Sequence, residues 1–206
     1  MSDVERGPSG PPARESDAVP GDDDALVRAA QRGDRQAFGH LVSRHARSVL
    51  SVTTRMLGAA ADAEDVAQDT FVAAYRGLPG FQRESAFSTW LYRIAVNRCR
   101  DVLRARRPRT VPLDAGDERM AEWEASGSDT PYREVEQAEV ASAIERGIQA
   151  LPPLYRESFV LRHLEGLGYE EMSAILGVHR DTLKMRVYKA RTLLARSLSH
   201  LNVSSG

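Results

Sequence analysis

Apolar side chains recur along this chain mainly at three- and four-residue steps, the rhythm of helices that each bury one stripe. From 34 to 57 the positions Phe38, Leu41, Val42, Val49, Val52 and Leu57 follow it. A preceding helix opens at Asp22–Asp24, whose carboxylates suit the positive end of a helix dipole; Gly33 ends it and Asp34 caps the next. After the small-residue turn "GAAAD" a third helix is predicted over 62–78, with Ala63, Ala67, Thr70, Phe71, Ala74 and Leu78 as its inner stripe. "GLPGF" breaks the chain. A fourth helix is predicted over 87–106, with Phe87, Leu91, Ile94, Ala95, Cys99 and Val102 facing inward, and Pro108 stops it. Helical patterning returns at Tyr132, predicting helices over 132–150, 153–163, 168–176 and 180–198, with Gly166, Gly168 and Gly177 at helix ends. No stretch sustains period-two alternation, so the expected fold class is all-α.

Two segments fall outside this patterning. Residues 1–21 are rich in Pro, Gly, Ser and acidic side chains and have too little apolar surface to offset the entropy of ordering, which predicts a disordered tail. Residues 108–131, "PRTVPLDAGDERMAEWEASGSDTP", combine prolines, small residues and an acidic excess, which predicts a flexible acidic linker. The expected organisation is therefore tail 1–21, helical domain 22–107, linker 108–131 and helical domain 132–200.

Composition narrows the function class. No apolar run approaches the length of a bilayer span and the N-terminus lacks a secretory core, so a cytoplasmic protein with no membrane insertion is expected. Cys99 is the only cysteine, which excludes an internal disulfide and a cysteine zinc site; its neighbours predict a small buried side chain. His40 and His45 fall on different helical faces, and His163, His179 and His200 are scattered. With no Gly-rich phosphate loop and no catalytic constellation, neither enzyme activity, nor a cofactor, nor a metal is expected.

Charge supplies the positive signal. The totals are nearly balanced, Lys+Arg 28 against Asp+Glu 29, yet cationic side chains concentrate in "GVHRDTLKMRVYKAR" and "RIAVNRCRDVLRARRPR". The first belongs to a helix-turn-helix pattern. Met172, Ile175 and Leu176 supply the apolar side of one helix, Ser173 allows close crossing, Gly177 the tight turn, and Val178 plugs the core. Leu183, Val187, Ala190 and Leu194 form the inner stripe of the next helix, which leaves Arg180, Asp181, Lys184, Met185 and Tyr188 outward and Arg186, Lys189 and Arg191 on the flanks. The start of such a helix enters the major groove, so Arg180 and Lys184 are expected at base edges and the flanking cations at phosphates. Asp181 is expected either to cap this helix or to accept from a cytosine amine.

On the fourth predicted helix, Thr89, Arg93, Asn97, Arg100, Arg104 and Arg107 share a face, as suits a phosphate backbone with some base contact. Trp90 and Tyr92 flank its start, where aromatic rings stack on unpaired bases or belong to the core, the core being favoured for Trp90. The third helix has the opposite polarity: Asp62, Glu64, Asp65, Gln68 and Asp69 extend beyond the turn that the helix dipole accounts for, pointing to a basic protein partner.

Together, "DAEDVAQDTFVAAYR", "SAFSTWLYRIAVNRCRD" and "LPPLYRESFVLRHLEGLGYEEMSAILGVHRDTLKMRVYKAR" resemble regions two and four of bacterial sigma factors of the extracytoplasmic-function type, over residues 24–198 and in that order. The resemblance implies a protein that directs core RNA polymerase to promoter DNA. It implies that Asp62, Asp65, Gln68, Asp69 and Val72 dock on the polymerase, through the β′ coiled coil, with further contacts to the β subunit. It implies that "FQRESAF" grips a base flipped from the −10 element, with Gln82, Ser85, Phe87, Trp90, Arg93, Asn97, Arg100 and Arg104 along the opening duplex. The −35 element falls to Arg180, Asp181, Thr182, Lys184, Met185, Arg186, Tyr188, Lys189 and Arg191. An anti-sigma factor partner is implied as well. Many relatives carry Gly-Thr at Asp181-Thr182, a serine at Met185 and an alanine at Ser173, so the upstream sequence preference does not transfer.

A linker of about 24 residues spans roughly 25–30 Å as a free coil and roughly 80 Å when extended. DNA elements two helical turns apart lie roughly 70 Å from one another. A larger body is therefore expected to stretch the linker, and the isolated protein to bind promoter duplex poorly. A stand-alone helix-turn-helix regulator is the alternative, disfavoured because residues 24–107 carry their own arginine face; an RNA-binding adaptor leaves the acidic helix unexplained.

Overall fold

The computed structural model describes residues 22–106 and 133–199, with side chains of the second segment from Val140 onward. The predicted tail, the predicted linker, Arg107 and His200 lie outside the described residues. Those described form eight α-helices and no strand: α1 Asp23–Gln31, α2 Arg35–Leu57, α3 Ala60–Gly77, α4 Phe87–Arg106, α5 Arg133–Ala150, α6 Pro153–Phe159, α7 Tyr169–Leu176 and α8 Arg180–Leu198. A 3-10 turn, Leu78–Gly80, follows α3, and a π-helical turn, Val160–Leu164, continues α6.

Local chemistry sets the ends of these helices. Asp22 accepts from the Asp24 N–H at the start of α1, and Asp34 accepts from the N–H groups of Gln36 (2.9 Å) and Ala37 (3.1 Å) at the start of α2. Gly177 ends α7 in the left-handed region (φ 68°), where its N–H reaches the Ser173 carbonyl, and thereby makes the tight turn into α8. That helix is capped by His179, whose ring nitrogen accepts from the Asp181 N–H, rather than by Asp181 as the sequence allowed.

The first half packs α1, α3 and α4 around α2. Leu26, Val27, Phe38, Leu41, Val49, Ala67, Ala74, Leu78, Phe81, Phe87, Leu91 and Ala95 form its own core. The buried Thr53 hydroxyl donates to the Ala63 carbonyl (2.9 Å) and ties α2 to α3. In the second half Met172, Ile175, Leu176, Leu183, Val187 and Leu194 bury the inner stripes of α7 and α8 as predicted. Gly147 lets α5 approach α8: a Cβ there would stand 2.6 Å from Leu194 Cδ1.

The halves do not stand apart. A second hydrophobic cluster joins Val52, Met56, Leu57, Val66, Tyr92, Val96 and Cys99 of the first half to the Ile148, Val160, Leu161, Met172 and Leu183 group of the second. The sequence predicts separate modules held only by a tether; in the structure α4 packs on α7, and α2 on α5 and α6. The reason is visible at the end of α2, whose last carbonyls have no helical partner. Gln149 donates to the carbonyls of Thr54 (3.1 Å) and Arg55 (2.8 Å), Arg156 to that of Met56 (2.7 Å), and Arg106 to that of Leu57 (3.2 Å). Two of those three donors come from the second half. Burial holds the Arg156 guanidinium below its usual pKa.

Candidate nucleic-acid interface

On α8 the outward row is as the helical period requires. Met185 and Tyr188 are 65% and 67% exposed, and Arg180, Asp181, Thr182, Lys184, Lys189 and Arg191 are exposed or half-buried without entering the core. The face is not uniformly cationic, however. Arg180 pairs with Glu170 of α7, and Lys184 donates to Asp181 (3.0 Å) one turn away. The Lys184 bond and charge hold the Asp181 carboxyl below its usual pKa. These exposed pairs contribute little to stability and yield readily to a phosphate or a base edge. Arg186 departs from the row: it turns toward Glu157 of α6, at 3.7 Å, and its Nη1 is buried without a hydrogen bond among the described residues.

On α4, Arg93, Asn97 and Arg104 are exposed along one face, with Arg104 beside Asp101 at 3.1 Å. Two expectations for this helix, those for Thr89 and Arg100, need correction, and of the two readings of Tyr92 the structure shows the core one. Thr89 is buried, not part of the open face. Tyr92 is buried and donates to Glu165 of the second half (2.6 Å), so its ring is not available for stacking on a base; burial, first, and that carboxylate push its phenol well above the usual pKa. Arg100 makes a bidentate pair with Glu157, both bonds 2.8 Å, and the carboxylate raises its pKa.

The segment before α4 carries Gln82 and Ser85, both exposed, around Arg83, whose φ of 59° is in the left-handed region. A non-glycine residue held there marks a backbone constrained by its surroundings, as binding loops often are. Beneath it Phe81 stacks on Trp90 (centroids 4.8 Å apart) and both contact Phe87. Phe87 is 2% exposed and Trp90 half-buried, so Phe87 forms the floor of the loop, with no face open to a base.

On α3, Glu64, Asp65, Gln68 and Asp69 are exposed, while Asp62 is partly covered by its pair with Arg106 and Asp69 is loosely paired with Arg98 at 3.4 Å. The acidic row runs into an apolar patch, Val72 and Tyr75, that the charge pattern alone had not brought out beyond Val72. Tyr75 meets Phe38 edge-on (4.9 Å), and Arg35 and Arg76 border the same shallow cavity. The signal was the Phe71–Val72–Tyr75 spacing, too many large apolar residues for one buried stripe.

Cys99 is fully buried, and burial pushes its thiol pKa up to about 12. Among the described residues no group of metal-ligating side chains occurs, and no helix is long and apolar enough to cross a membrane.

Residues 41–109 match the family described as Sigma-70 region 2, and residues 141–194 match Sigma-70, region 4. The chain is 36% identical over 183 residues to the RNA polymerase sigma-H factor of Pseudomonas aeruginosa, covering 87% of this chain and 95% of that one. It is 38% identical over 186 residues to the ECF RNA polymerase sigma-E factor of Haemophilus influenzae, covering 87% and 96%. Among solved structures it resembles CnrH, determined in complex with the cytosolic domain of CnrY, with a TM-score of 0.62, 30% identity, and coverage of 89% of this chain and 99% of that one.

Proposed function

The chain belongs to the extracytoplasmic-function sigma factors of the sigma-70 family, which direct RNA polymerase to promoters through regions 2 and 4, and from that premise we propose how its surfaces divide the task. It is not an enzyme. Asp65, Gln68, Asp69 and Val72, with Asp62 at the margin, dock on the β′ coiled coil of core polymerase. An acidic row beside an apolar patch suits a partner helix with a basic flank. Gln82, Ser85, Arg93, Asn97 and Arg104 meet the −10 element, Trp90 and Phe87 supporting the loop from beneath. Arg180, Asp181, Thr182, Lys184, Met185 and Tyr188 face base edges of the −35 element, while Arg186, Lys189 and Arg191 reach phosphates.

The observation that carries this division is the polarity of the exposed helix faces: carboxylates on α3, arginines with Asn97 on α4, and a long-reaching row on α8. The protein acts in the cytoplasm with polymerase and chromosome. Its fold is like that of CnrH, which is solved with CnrY bound, and this supports an anti-sigma factor as a further partner.

Charge reversal at exposed positions tests the docking face. Asp65→Arg with Asp69→Arg should abolish association with core polymerase while the far-UV circular dichroism stays unchanged. Core binding equal to the unsubstituted protein would refute the docking assignment. Arg180→Ala and Lys184→Ala should leave core binding intact and lower transcription from a promoter that depends on its upstream element.

A further inference from the structure

Helix α1 carries none of the residues assigned to polymerase or to either DNA element, yet its last residue reaches the loop before α4. The carboxamide of Gln31 directs its N–H groups at two carbonyls, that of Leu78 (3.0 Å) and that of Phe81 (2.9 Å), which lie 47 and 50 residues along the chain. These carbonyls bracket the 3-10 turn Leu78–Gly80, which delivers the chain to the exposed stretch 82–86. The Leu78 carbonyl also accepts from the Phe81 N–H (3.1 Å), which closes the turn. Phe81 is buried and extended (φ −74°, ψ 109°), so its carbonyl has left the helical ladder and depends on a donor from elsewhere.

The far end of the stretch is held separately. Phe87 is buried, and the Ala86 carbonyl accepts from the Trp90 N–H (3.1 Å) at the start of α4. Gln82 to Ala86 therefore hang between two fixed points, the first of them set by a side chain of another helix. Helix α1 is itself tied to α2 at its opposite end, where Asp23 accepts from Arg44 (2.6 Å) and meets the His45 ring nitrogen (2.7 Å). Within the stretch Arg83 is held at φ 59°, a conformation that a loop with one free end would relax.

We propose that Gln31 is a positioning residue for promoter recognition: its carboxamide fixes the direction in which the chain leaves Phe81, and so where Gln82 and Ser85 meet a base of the −10 element. This rests on the assignment of Gln82 and Ser85 to that element. Gln31 touches no DNA and acts through the two carbonyls. A glutamate there has the same shape but sets a carboxylate against both carbonyl oxygens; a methionine has the same length and neither donor nor charge. Each frees the Phe81 carbonyl to turn toward other donors, and Gln82 turns with it. Polar recognition tolerates a displacement of only about 0.5 Å. The exposed faces of α4 and α8 are untouched, so the effect falls on base choice at one element.

The test uses the full chain, core polymerase and a promoter taken from a randomised library, with each position of both elements changed in turn to the other bases. The readout is discrimination, the ratio of transcript from the preferred base to that from its substitutes. In Gln31→Glu it should fall by at least about fivefold within the −10 element, the lower end of what a well-placed polar contact to a base supplies. Discrimination across the −35 element and affinity for core polymerase should match the unsubstituted protein. Gln31→Met should do the same, and stands in if the carboxylate of the first variant prevents folding, which far-UV circular dichroism reports. Equal loss at both elements makes Gln31 a support of the fold alone and overturns the proposal. So does unchanged discrimination in a folded variant. Gln82→Ala with Ser85→Ala checks the assignment beneath. If this pair removes −10 discrimination and Gln31→Met does not, the loop reads the base without Gln31, and the proposal alone fails. If the pair leaves discrimination intact, the loop does not read the base, and the proposal falls together with that assignment.

Discussion

The pair between Arg100 and Glu157 makes an asymmetric prediction about stability. Replacing Arg100 by Met removes two charge-assisted bonds and leaves a 2% exposed carboxylate with only the imperfect Arg186 contact. Breaking a buried ion pair in this way costs about 3–5 kcal/mol, and the nearby Arg186 places this site near about 3 kcal/mol. Replacing Glu157 by Gln is milder, because Arg100 keeps 29% of its side-chain surface exposed and turns to water. A lost bond to a charged group then costs about 1.5 kcal/mol. The double variant has no buried charge to compensate, so its cost should fall short of the sum by at least about 1 kcal/mol. Urea unfolding followed by circular dichroism measures all three. If Arg100→Met costs no more than Glu157→Gln, or if the two costs add, Glu157 is not the desolvated partner described here.

Three further outcomes follow from individual sites. Asp34→Ala removes the acceptor for two N–H groups at the start of α2 and should lower stability by about 1 kcal/mol in the same unfolding assay. Cys99, fully buried and with its pKa pushed up to about 12, should resist iodoacetamide in the native protein at pH 8 and react only on unfolding, as mass spectrometry would show. His163 has its pKa lowered by burial first, then by Arg191 and Arg162. The unfolded chain therefore binds its proton more readily, and the contribution of this group to stability rises with pH. It is complete above the unfolded value near 6.5 and is lost as pH falls from there through the lowered folded value. An NMR titration of His163 with a midpoint at or above 6.5 would contradict this.

Much of the helical architecture could be read from the chain because helical burial is a local property. The stripe Leu183, Val187, Ala190 and Leu194 needs only its own period to be recognised, and it is buried in full. So does the turn at Gly177, where the left-handed conformation names its residue. What could not be read is non-local. Tyr92 and Val96 fall beside the predicted inner stripe of α4, and they are buried because the second half covers them. Thr89 sits on the helix face that also carries Arg93, yet it is buried. A carboxylate 57 residues away claims Arg100, and no spacing rule within one helix announces such a partner. Arg180 has a partner on the preceding helix, Glu170, and Lys184 has Asp181 three residues away, so neither cation stands unopposed. Periodicity tells which face is inside, but not which distant surface lies upon it.

The proposed role of this chain is to turn core polymerase toward particular promoters by presenting α4 and α8 to two DNA elements. Transcription in vitro with core polymerase and a randomised promoter library, followed by mapping of transcript 5′ ends, tests it most directly. Start sites should appear only when the protein is added and should share two sequence elements, the upstream one lost with Arg180→Ala and Lys184→Ala. Transcripts that are the same with and without the protein, or that share no upstream element, would contradict it.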